Sequence, residues 1–336
     1  MSENIEILRP VTSAEKSRVV GKQWRGDFGP VVLFQGLSFT LVTFGPLVGI
    51  GALLAAMNIW LYLGGYQILP AGVHSSQLAL ALAFGAPVSA YIITRLLDMH
   101  SWLSGEKTFL EYLRTVSFGL WGGLLGGIAI LTSFAFGTGT PILPLLDAFA
   151  VGVPLAQMFG RIGCLNYGCC HGKVCESKHL PAIQYHHKQT KVIRYDPELK
   201  GKRLHPTQIY SILANLMIYG LMILLWMNWE SRPAGGLAGL YFLLYGAKRF
   251  SVEVLRGEFP RVYFKGLTVW QWFSVIFVVV GAFLLLYVGG GTTMEIEFNL
   301  DQAMHSLWGS FWVLGLASFI LTLAYGLHGK KIGTWG

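Results

Sequence analysis

Charged residues are scarce in this chain, and their scarcity excludes an ordinary soluble globular protein. Asp, Glu, Lys and Arg together make up only 12% of the 336 residues, whereas hydrophobic residues make up 53%. A typical soluble domain contains about 25% charged residues, because its surface has to be solvated by water. About half that share predicts a protein whose surface lies largely in a lipid bilayer.

Charged residues rarely interrupt the apolar parts of the sequence. Eight apolar runs of about 20 residues or more are long enough to cross ~30 Å of hydrocarbon as helices. They lie at 39–63, 77–98, 114–136, 143–163, 207–229, 236–255, 267–289 and 306–327. The sequence therefore predicts an all-α, polytopic transmembrane helix bundle with a small head loop.

Five segments follow from these runs. They are an amino-terminal extramembrane segment (1–29), spans 1–4 (30–163), a head loop with a Cys/His cluster (164–206), spans 5–7 (207–289), and a linker with an eighth span (290–336). The first segment has no apolar core followed by a small-residue cleavage site, so we expect no removable signal peptide.

The basic residues are concentrated in the loops beside the apolar runs. The net charge is +8, but this placement is typical of membrane orientation signals and of attraction to anionic lipid, so no nucleic-acid partner is expected. By the positive-inside rule, the Lys and Arg count places both termini and the 164–206 loop in the cytoplasm.

A few charged residues nevertheless occur within or at the ends of the apolar runs. They are Arg95, Asp98, Asp147, Arg161, Lys248, Arg249 and Glu253. An unpaired charge at membrane depth is costly, so each is a functional candidate. Arg95 and Asp98 are spaced for an ion pair at a helix end. Arg249, Glu253 and Arg256 recur on one helix face, where arginine can bind two phosphate oxygens of a phospholipid head group.

Glycines in the third run are spaced four residues apart, at Gly119, Gly123 and Gly127. This spacing lets neighbouring helices pack closely. The same bare face could instead leave room for a lipid chain, and the sequence leaves both interpretations open.

Only four cysteines are present, and all lie in the stretch GRIGCLNYGCCHGKVC, residues 160–175. The spacing C-x4-C-C-x4-C differs from the usual zinc patterns, and two adjacent cysteines do not easily share one tetrahedral ion, so no metal is expected. A disulfide such as Cys164–Cys175, a reactive thiol at Cys169 or Cys170, and packing of a tight turn remain open.

Three motifs follow one another between residues 160 and 256. They are GRIG-x4-G-x3-G, HPTQIY, and YG-x-x-RF-x-x-E-x-x-R. In this order, with element order preserved from about residue 28 to 288, the chain resembles the prolipoprotein diacylglyceryl transferases. The resemblance implies seven family spans plus one extra carboxyl-terminal span, a multi-pass protein of the plasma (inner) membrane, and a head loop outside the cytoplasm. That last expectation conflicts with the charge count.

The resemblance also implies an enzyme. The family moves the diacylglyceryl group of phosphatidylglycerol, an anionic phospholipid, to the cysteine thiol of a lipoprotein precursor peptide, and no cofactor is expected. We predict His171, His205 and Glu253 as catalytic residues and Cys169 and Cys170 as possible thiols. The predicted substrate-binding residues are Arg161, Arg249, Arg256, Gly163, Gly168, Gly172, Gln208 and Tyr210.

The chain departs from the family pattern at several positions. Trp121 replaces a histidine, and the other departures are Phe44, Tyr91, Cys164, Cys169 and Ser211. These losses of proton-transfer groups suggest two alternatives. One is a divergent relative that transfers a lipid-derived group from an anionic phospholipid to another acceptor. The other is a non-catalytic lipid-binding or thiol-sensor membrane protein.

Overall fold

The structure is a computed structural model that describes residues 24–105, 108–114, 120–229, 232–257, 263–288, 297–330 and 332. Most of the predicted amino-terminal segment and residues 290–296 of the predicted linker lie outside these residues. The helices are α1 (Phe44–Gly65), α2 (Ser75–Leu103), α3 (Phe109–Arg114), α4 (Leu120–Thr138), α5 (Ile142–Tyr167), α6 (Lys191–Tyr195), α7 (Thr207–Asn228), α8 (Gly236–Leu255), α9 (Val269–Val288) and α10 (Leu300–Gly326), with a 3-10 turn at Pro197–Leu199.

Each of the eight predicted spans overlaps one of the long helices. Among the described residues, six helices are long and apolar enough to cross a membrane: α1, α2, α5, α7, α9 and α10. The other two are α4, whose described apolar part is shorter, and α8, which carries Lys248, Arg249 and Glu253. The predicted all-α membrane bundle is thus confirmed.

The first predicted span begins later than its apolar run. Residues 39–42 form a strand and α1 begins only at Phe44. The strands are β1 (Trp24–Arg25), β2 (Val32–Gln35), β3 (Phe39–Val42), β4 (Ile183–Gln184), β5 (Tyr263–Phe264), β6 (Leu267–Thr268) and β7 (Leu327–Gly329). The apolar residues 39–42 therefore form part of a sheet rather than the first turn of a helix.

Two of the small sheets join distant parts of the chain on one side of the bundle. β2, β3 and β7 form an antiparallel sheet in which Thr40 pairs with His328, and β1 pairs in parallel with β4. Arg194 also donates to the carbonyl of Ile332 over 2.7 Å. Residues 24–43, the loop 168–206 (hereafter the head) and the described carboxyl end therefore share one side, as the charge count predicted. Which membrane face this side occupies stays a prediction.

The apolar core divides between the bundle and the head. The larger cluster is formed by residues of the long helices, including Trp60, Tyr62, Leu145 and Met222. A small second cluster in the head contains Ile183, Tyr185, Val192, Ile193 and Leu204. The head thus has a core of its own, which fixes it above the end of α5 and the start of α7.

Asp147, singled out as a charge at membrane depth, has a structural partner. Its carboxylate accepts hydrogen bonds from the backbone amides of Gly235 (2.7 Å) and Ala238 (2.8 Å) at the start of α8. A carboxylate there satisfies amides that have no partner within the helix and complements the helix dipole. Asp147 therefore caps α8, on the side of the bundle away from the head.

The glycines of α4 serve both uses that the sequence left open. A Cβ at Gly126 would lie 1.8 Å from Oγ of Ser89, so this position allows α2 and α4 to approach closely. Gly123 and Gly127 line a cavity, and a Cβ at Gly127 would have no neighbour within 4 Å. One face of α4 packs against α2, and another face leaves space for the cavity.

Candidate active site

An apolar cavity of about 560 Å³ lies inside the bundle. Its walls come mainly from α1, α2, α4, α5, α8 and α10, with single residues of α6 and α7 and two cysteines of the loop after α5. Small residues are prominent among them, including Ala52, Ala83, Ala150 and Gly127. This volume lies in the range of small-molecule sites. Small side chains on several helices create the space, because each leaves a gap that a larger residue would fill.

The cavity has a polar end next to the head. Arg161 from α5 and Lys248 from α8 line it, together with Cys164, Cys169 and Cys170. Among the described residues, neither Arg161 nor Lys248 forms an ion pair with a carboxylate, although both lie at the end of an apolar chamber.

Lys248 is held in place by neutral groups. Its Nζ donates to Oδ1 of Asn215 over 2.6 Å and lies 4.2 Å from the ring centre of Tyr245. Asn215 and Tyr245 also line the cavity. On another part of the wall, Gln157 donates to the hydroxyl of Tyr241 over 2.9 Å.

Near this wall, one carboxylate forms ion pairs with two arginines, one within α8 and one just after its last residue. Oε2 of Glu253 lies 2.5 Å from Arg249 and 3.7 Å from Arg256. The side chains of Arg249 and Glu253 are 5% and 2% exposed. Neither arginine is among the described residues that line the cavity, but both are near enough to Arg161 for their positive charges to interact.

Three of the four cysteines form a cluster. The sulfur atoms of Cys164, Cys169 and Cys170 all lie within 4.8 Å of one another, and none of the four cysteines forms a disulfide. Cys164 is on the last turns of α5, which ends at Gly168 in the left-handed conformation (φ 76°). Cys170 also has a positive φ, of 60°. These two turns fold the loop back over the helix end, so sequence neighbours both face Cys164.

Cys175 lies outside the cluster. It is buried in the head, where its thiol lies 3.5 Å from the carbonyl of Ser177. The Cys164–Cys175 pairing that the sequence left open is therefore absent from the structure, and Cys164 is next to Cys169 and Cys170 instead.

Side chains at the start of α7 hold the backbone of the loop that contains Cys169 and Cys170. Thr207 donates to the carbonyl of Cys170 over 2.7 Å, and the Nε2 of Gln208 donates to the carbonyl of Cys169 over 2.8 Å. Gln208 is fully buried and does not line the cavity. The HPTQ motif thus positions the cysteines through their backbone.

The electrostatic surroundings distinguish the two adjacent thiols. Hydrogen bonds with Cys164 and Cys169, together with the charges of Arg256 and Arg161, hold the pKa of Cys170 well below its usual value against the effect of burial. Hydrogen bonds with Cys164 and Cys170, and then burial, raise the pKa of Cys169. The cations beside Cys170 are thus Arg161 and Arg256, whereas Lys173, which the sequence also suggested, is exposed.

Both predicted catalytic histidines lie beside this loop. His171 is buried, and its Nδ1 lies 3.0 Å from the carbonyl of Gly172. Nδ1 of His205 is buried and has no hydrogen-bond partner among the described residues. Neither is among the described residues that line the cavity, so their role in proton transfer stays a prediction.

The glycines predicted to bind substrate lie in tightly packed places. A Cβ at Gly163 would lie 2.7 Å from the Phe44 ring, and one at Gly172 would lie 2.5 Å from His205. Gly168 ends α5, as described above. These three glycines and Tyr210 are absent from the described cavity lining, so their contribution to substrate binding also stays a prediction.

The departures from the family pattern occupy varied places. Phe44 lines the cavity and packs against Tyr167, with ring centres 6.1 Å apart. Tyr91 donates to the carbonyl of Leu113, and Ser211 to that of Thr207. Trp121 lies in α4, but its side chain is outside the described part of the structure.

Arg95 is not part of the cavity wall. It is buried against Tyr112, donates to the carbonyl of that residue, and lies 5.1 Å from its ring centre. The side chain of its predicted partner, Asp98, lies outside the described residues. Arg95 therefore connects α2 to α3.

The sequence interpretation missed three polar residues near the site. Asn215, Gln157 and Asn166 are neutral residues in or beside apolar runs. Asn166 is 1% exposed and ties the segment before α1 to α5, accepting from the amide of Gly29 (2.9 Å) and donating to the carbonyl of Pro30 (3.0 Å). A search for amide side chains within or next to the apolar runs would have found all three.

Comparisons with known proteins identify the family of the chain. The profile of the prolipoprotein diacylglyceryl transferase family matches residues 31–287. Phosphatidylglycerol–prolipoprotein diacylglyceryl transferase of Clostridium tetani (strain Massachusetts / E88) is 27% identical over 256 residues, which is 75% of this chain and 95% of that protein.

Two further relatives match about half of the chain. The second such transferase of Clostridium perfringens (strain 13 / Type A) is 33% identical over 171 residues, and that of Streptococcus pneumoniae (strain ATCC 700669 / Spain 23F-1) is 29% identical over 169 residues. Each match spans 50% of this chain and 60% of the relative. The predicted family and the predicted transferase class are both confirmed, and the chain belongs to the prolipoprotein diacylglyceryl transferase family.

Proposed function

We propose that this protein transfers the diacylglyceryl group of phosphatidylglycerol to the cysteine thiol of a lipoprotein precursor, in the plasma (inner) membrane. One observation carries the proposal. An apolar cavity inside a membrane bundle ends at Arg161 and Lys248, with Arg249 and Arg256 behind them. An anionic lipid has the complementary shape, with apolar chains attached to a phosphate.

The charges at this end favour departure of the phosphate. Arg161, Arg249 and Arg256 are three cations near this end, and the carboxylate of Glu253 offsets only one of them. Fixed positive charges aimed at developing negative charge lower a reaction barrier, and they are most effective in an apolar site. In this proposal Arg161 and Lys248 contact the phosphate. Glu253 holds Arg249 and Arg256 in place, and these two arginines add positive potential at the site.

The reaction is the alkylation of a thiol. The acceptor sulfur, as a thiolate, attacks the glycerol carbon that bears the phosphate. A carbon–sulfur bond forms, the carbon–oxygen bond breaks, and its electron pair leaves on the oxygen of glycerol phosphate. The thiol proton has to be removed first, and His171 and His205 are the proposed carriers because histidine titrates near neutral pH.

The test is an assay with the purified full chain in detergent. The protein is incubated with labelled phosphatidylglycerol and a lipoprotein-signal peptide, and the peptide mass and the released glycerol phosphate are measured. We expect a peptide heavier by one diacylglyceryl unit, glycerol phosphate released in equal amount, and no product from a peptide in which the acceptor cysteine is serine.

The other outcomes contradict the proposal in different ways. Release of glycerol phosphate without modification of the peptide would identify a lipid transferase with another acceptor. Binding of the lipid with neither product, for several anionic phospholipids, would identify a lipid-binding protein.

A further inference from the structure

We propose that Cys164, Cys169 and Cys170 bind a zinc ion through three thiolates, and that the fourth coordination position, facing the cavity, takes the acceptor thiol. The metal site itself does not depend on the proposed function, whereas the role of the fourth position rests on it. All three cysteines line the cavity, so an ion bound between them is open to the chamber in which the lipid would lie.

The geometry of the cluster fits such an ion. Zinc–sulfur distances are about 2.3 Å, which places the sulfurs of a tetrahedral site ~3.8 Å apart. The three sulfurs already lie within 4.8 Å of one another, so they need to approach by no more than about 1 Å. Rotation of short side chains supplies a movement of this size without a change in the backbone.

The backbone explains why adjacent cysteines can share the ion. Cys170 has a φ of 60°, which turns the chain between two neighbouring residues that would otherwise point apart. Thr207 and Gln208 hold the carbonyls of Cys170 and Cys169 over 2.7 and 2.8 Å. The loop is therefore preorganised, and spacing in the sequence alone did not indicate this.

The coordination is incomplete, as in a catalytic zinc site. Among the described Cys, His, Asp and Glu side chains, the group contains only these three sulfurs. Catalytic zinc sites keep three protein ligands and one open position, whereas structural sites have four. Three thiolates and one divalent ion carry a net charge of about −1, which Arg161 and Arg256 beside the cluster stabilise.

A bound thiol suits the chemistry of the transfer. A thiol that binds the ion gives up its proton, to the carriers proposed above, so the acceptor is held as a thiolate next to the lipid. Its sulfur lone pair forms the new carbon–sulfur bond, and the bond to the phosphate oxygen breaks as described above. The product is a neutral thioether, a weaker ligand than a thiolate, and leaves the ion.

The first experiment measures metal binding alone. The full chain is purified under reduction, its zinc content is determined by mass spectrometry, and Co²⁺ is then substituted as a spectroscopic probe. We expect about one ion per chain, with the thiolate charge-transfer and visible bands of tetrahedral cobalt. Cys164→Ser, Cys169→Ser and Cys170→Ser should each weaken metal binding by more than ~10-fold. Cys175→Ser is the matched control and should bind normally.

The second experiment tests the open position. Addition of the acceptor peptide should shift the visible cobalt bands, and its Cys→Ser analogue should not. Failure of the wild-type protein to bind zinc or Co²⁺, binding that survives all three substitutions, or a disulfide within the cluster would overturn the metal site. Cobalt bands unmoved by the peptide would overturn the role of the fourth position. Neither readout requires transfer, so a failure of the proposed function is separately visible.

Discussion

The side-chain amide of Gln208, at the start of α7, donates to the backbone carbonyl of Cys169 over 2.8 Å. The same nitrogen lies 3.1 Å from the hydroxyl of Tyr185 in the head core. One fully buried residue of the HPTQIY motif therefore connects the bundle, the cysteine loop and the head. This arrangement makes Gln208 a positioning residue.

We expect Gln208→Leu to reduce the free energy of unfolding by about 1–3 kcal/mol, because a buried carbonyl loses its hydrogen-bond donor. Thermal unfolding in detergent measures the change. The exposed Gln302→Leu serves as the matched control and should have little effect on stability. A Gln208→Leu protein as stable as the wild type would show that another group satisfies the carbonyl.

Replacement of Arg161 tests the cationic end of the cavity. We expect Arg161→Gln to lower kcat/KM for diacylglyceryl transfer by about 10²–10³, because a fixed charge that stabilises the leaving phosphate is lost. Arg161→Lys should retain part of the activity. The exposed Lys202→Gln, which removes one positive charge from the head, is the control. Full activity of a well-folded Arg161→Gln protein would contradict the proposed role.

The ion pair between Arg249 and Glu253 is expected to matter greatly for stability. Glu253→Gln leaves Arg249 buried without its anion, and removing one partner of a buried pair costs about 3–5 kcal/mol. Melting temperatures should show this loss, whereas the exposed Glu198→Gln should be neutral. The double variant Arg249→Met/Glu253→Leu should recover part of the stability, because it no longer buries that charge. No recovery would indicate that Arg256 also depends on Glu253.

The pH dependence of stability should report on His328 in β7. Burial, and then the nearby Arg194, lower the pKa of His328 from 6.5 to about 4. The folded state therefore favours neutral histidine, and this contribution to stability is present above pH 6.5 and is lost as the pH falls towards 4. We expect His328→Gln to show a smaller fall in melting temperature between about pH 7.5 and pH 5 than the wild type.

His179→Gln, which replaces an exposed histidine of the head, is the control and should keep the wild-type pH dependence. An equal fall in melting temperature in His328→Gln and the wild type would assign the pH dependence to another group.

Family and helix content could be predicted from the sequence because both depend on local pattern. Apolar runs of about 20 residues determine membrane helices whatever their neighbours. Arg161, Arg249 and Glu253 could be singled out because charge in an apolar run is costly. The start of α1 was less predictable, since residues 39–42 are apolar but pair with β2 and β7.

What the sequence by itself determined was the bundle, the family and the presence of cations at membrane depth, because these follow from composition and order along the chain. Only the tertiary structure decided which of those charges line the cavity. Lys248 does, whereas Asp147 caps a helix and Arg95 packs against Tyr112. It also decided that Cys164 lies beside Cys169 and Cys170, because backbone turns and contacts between α5, α7 and the head set those distances.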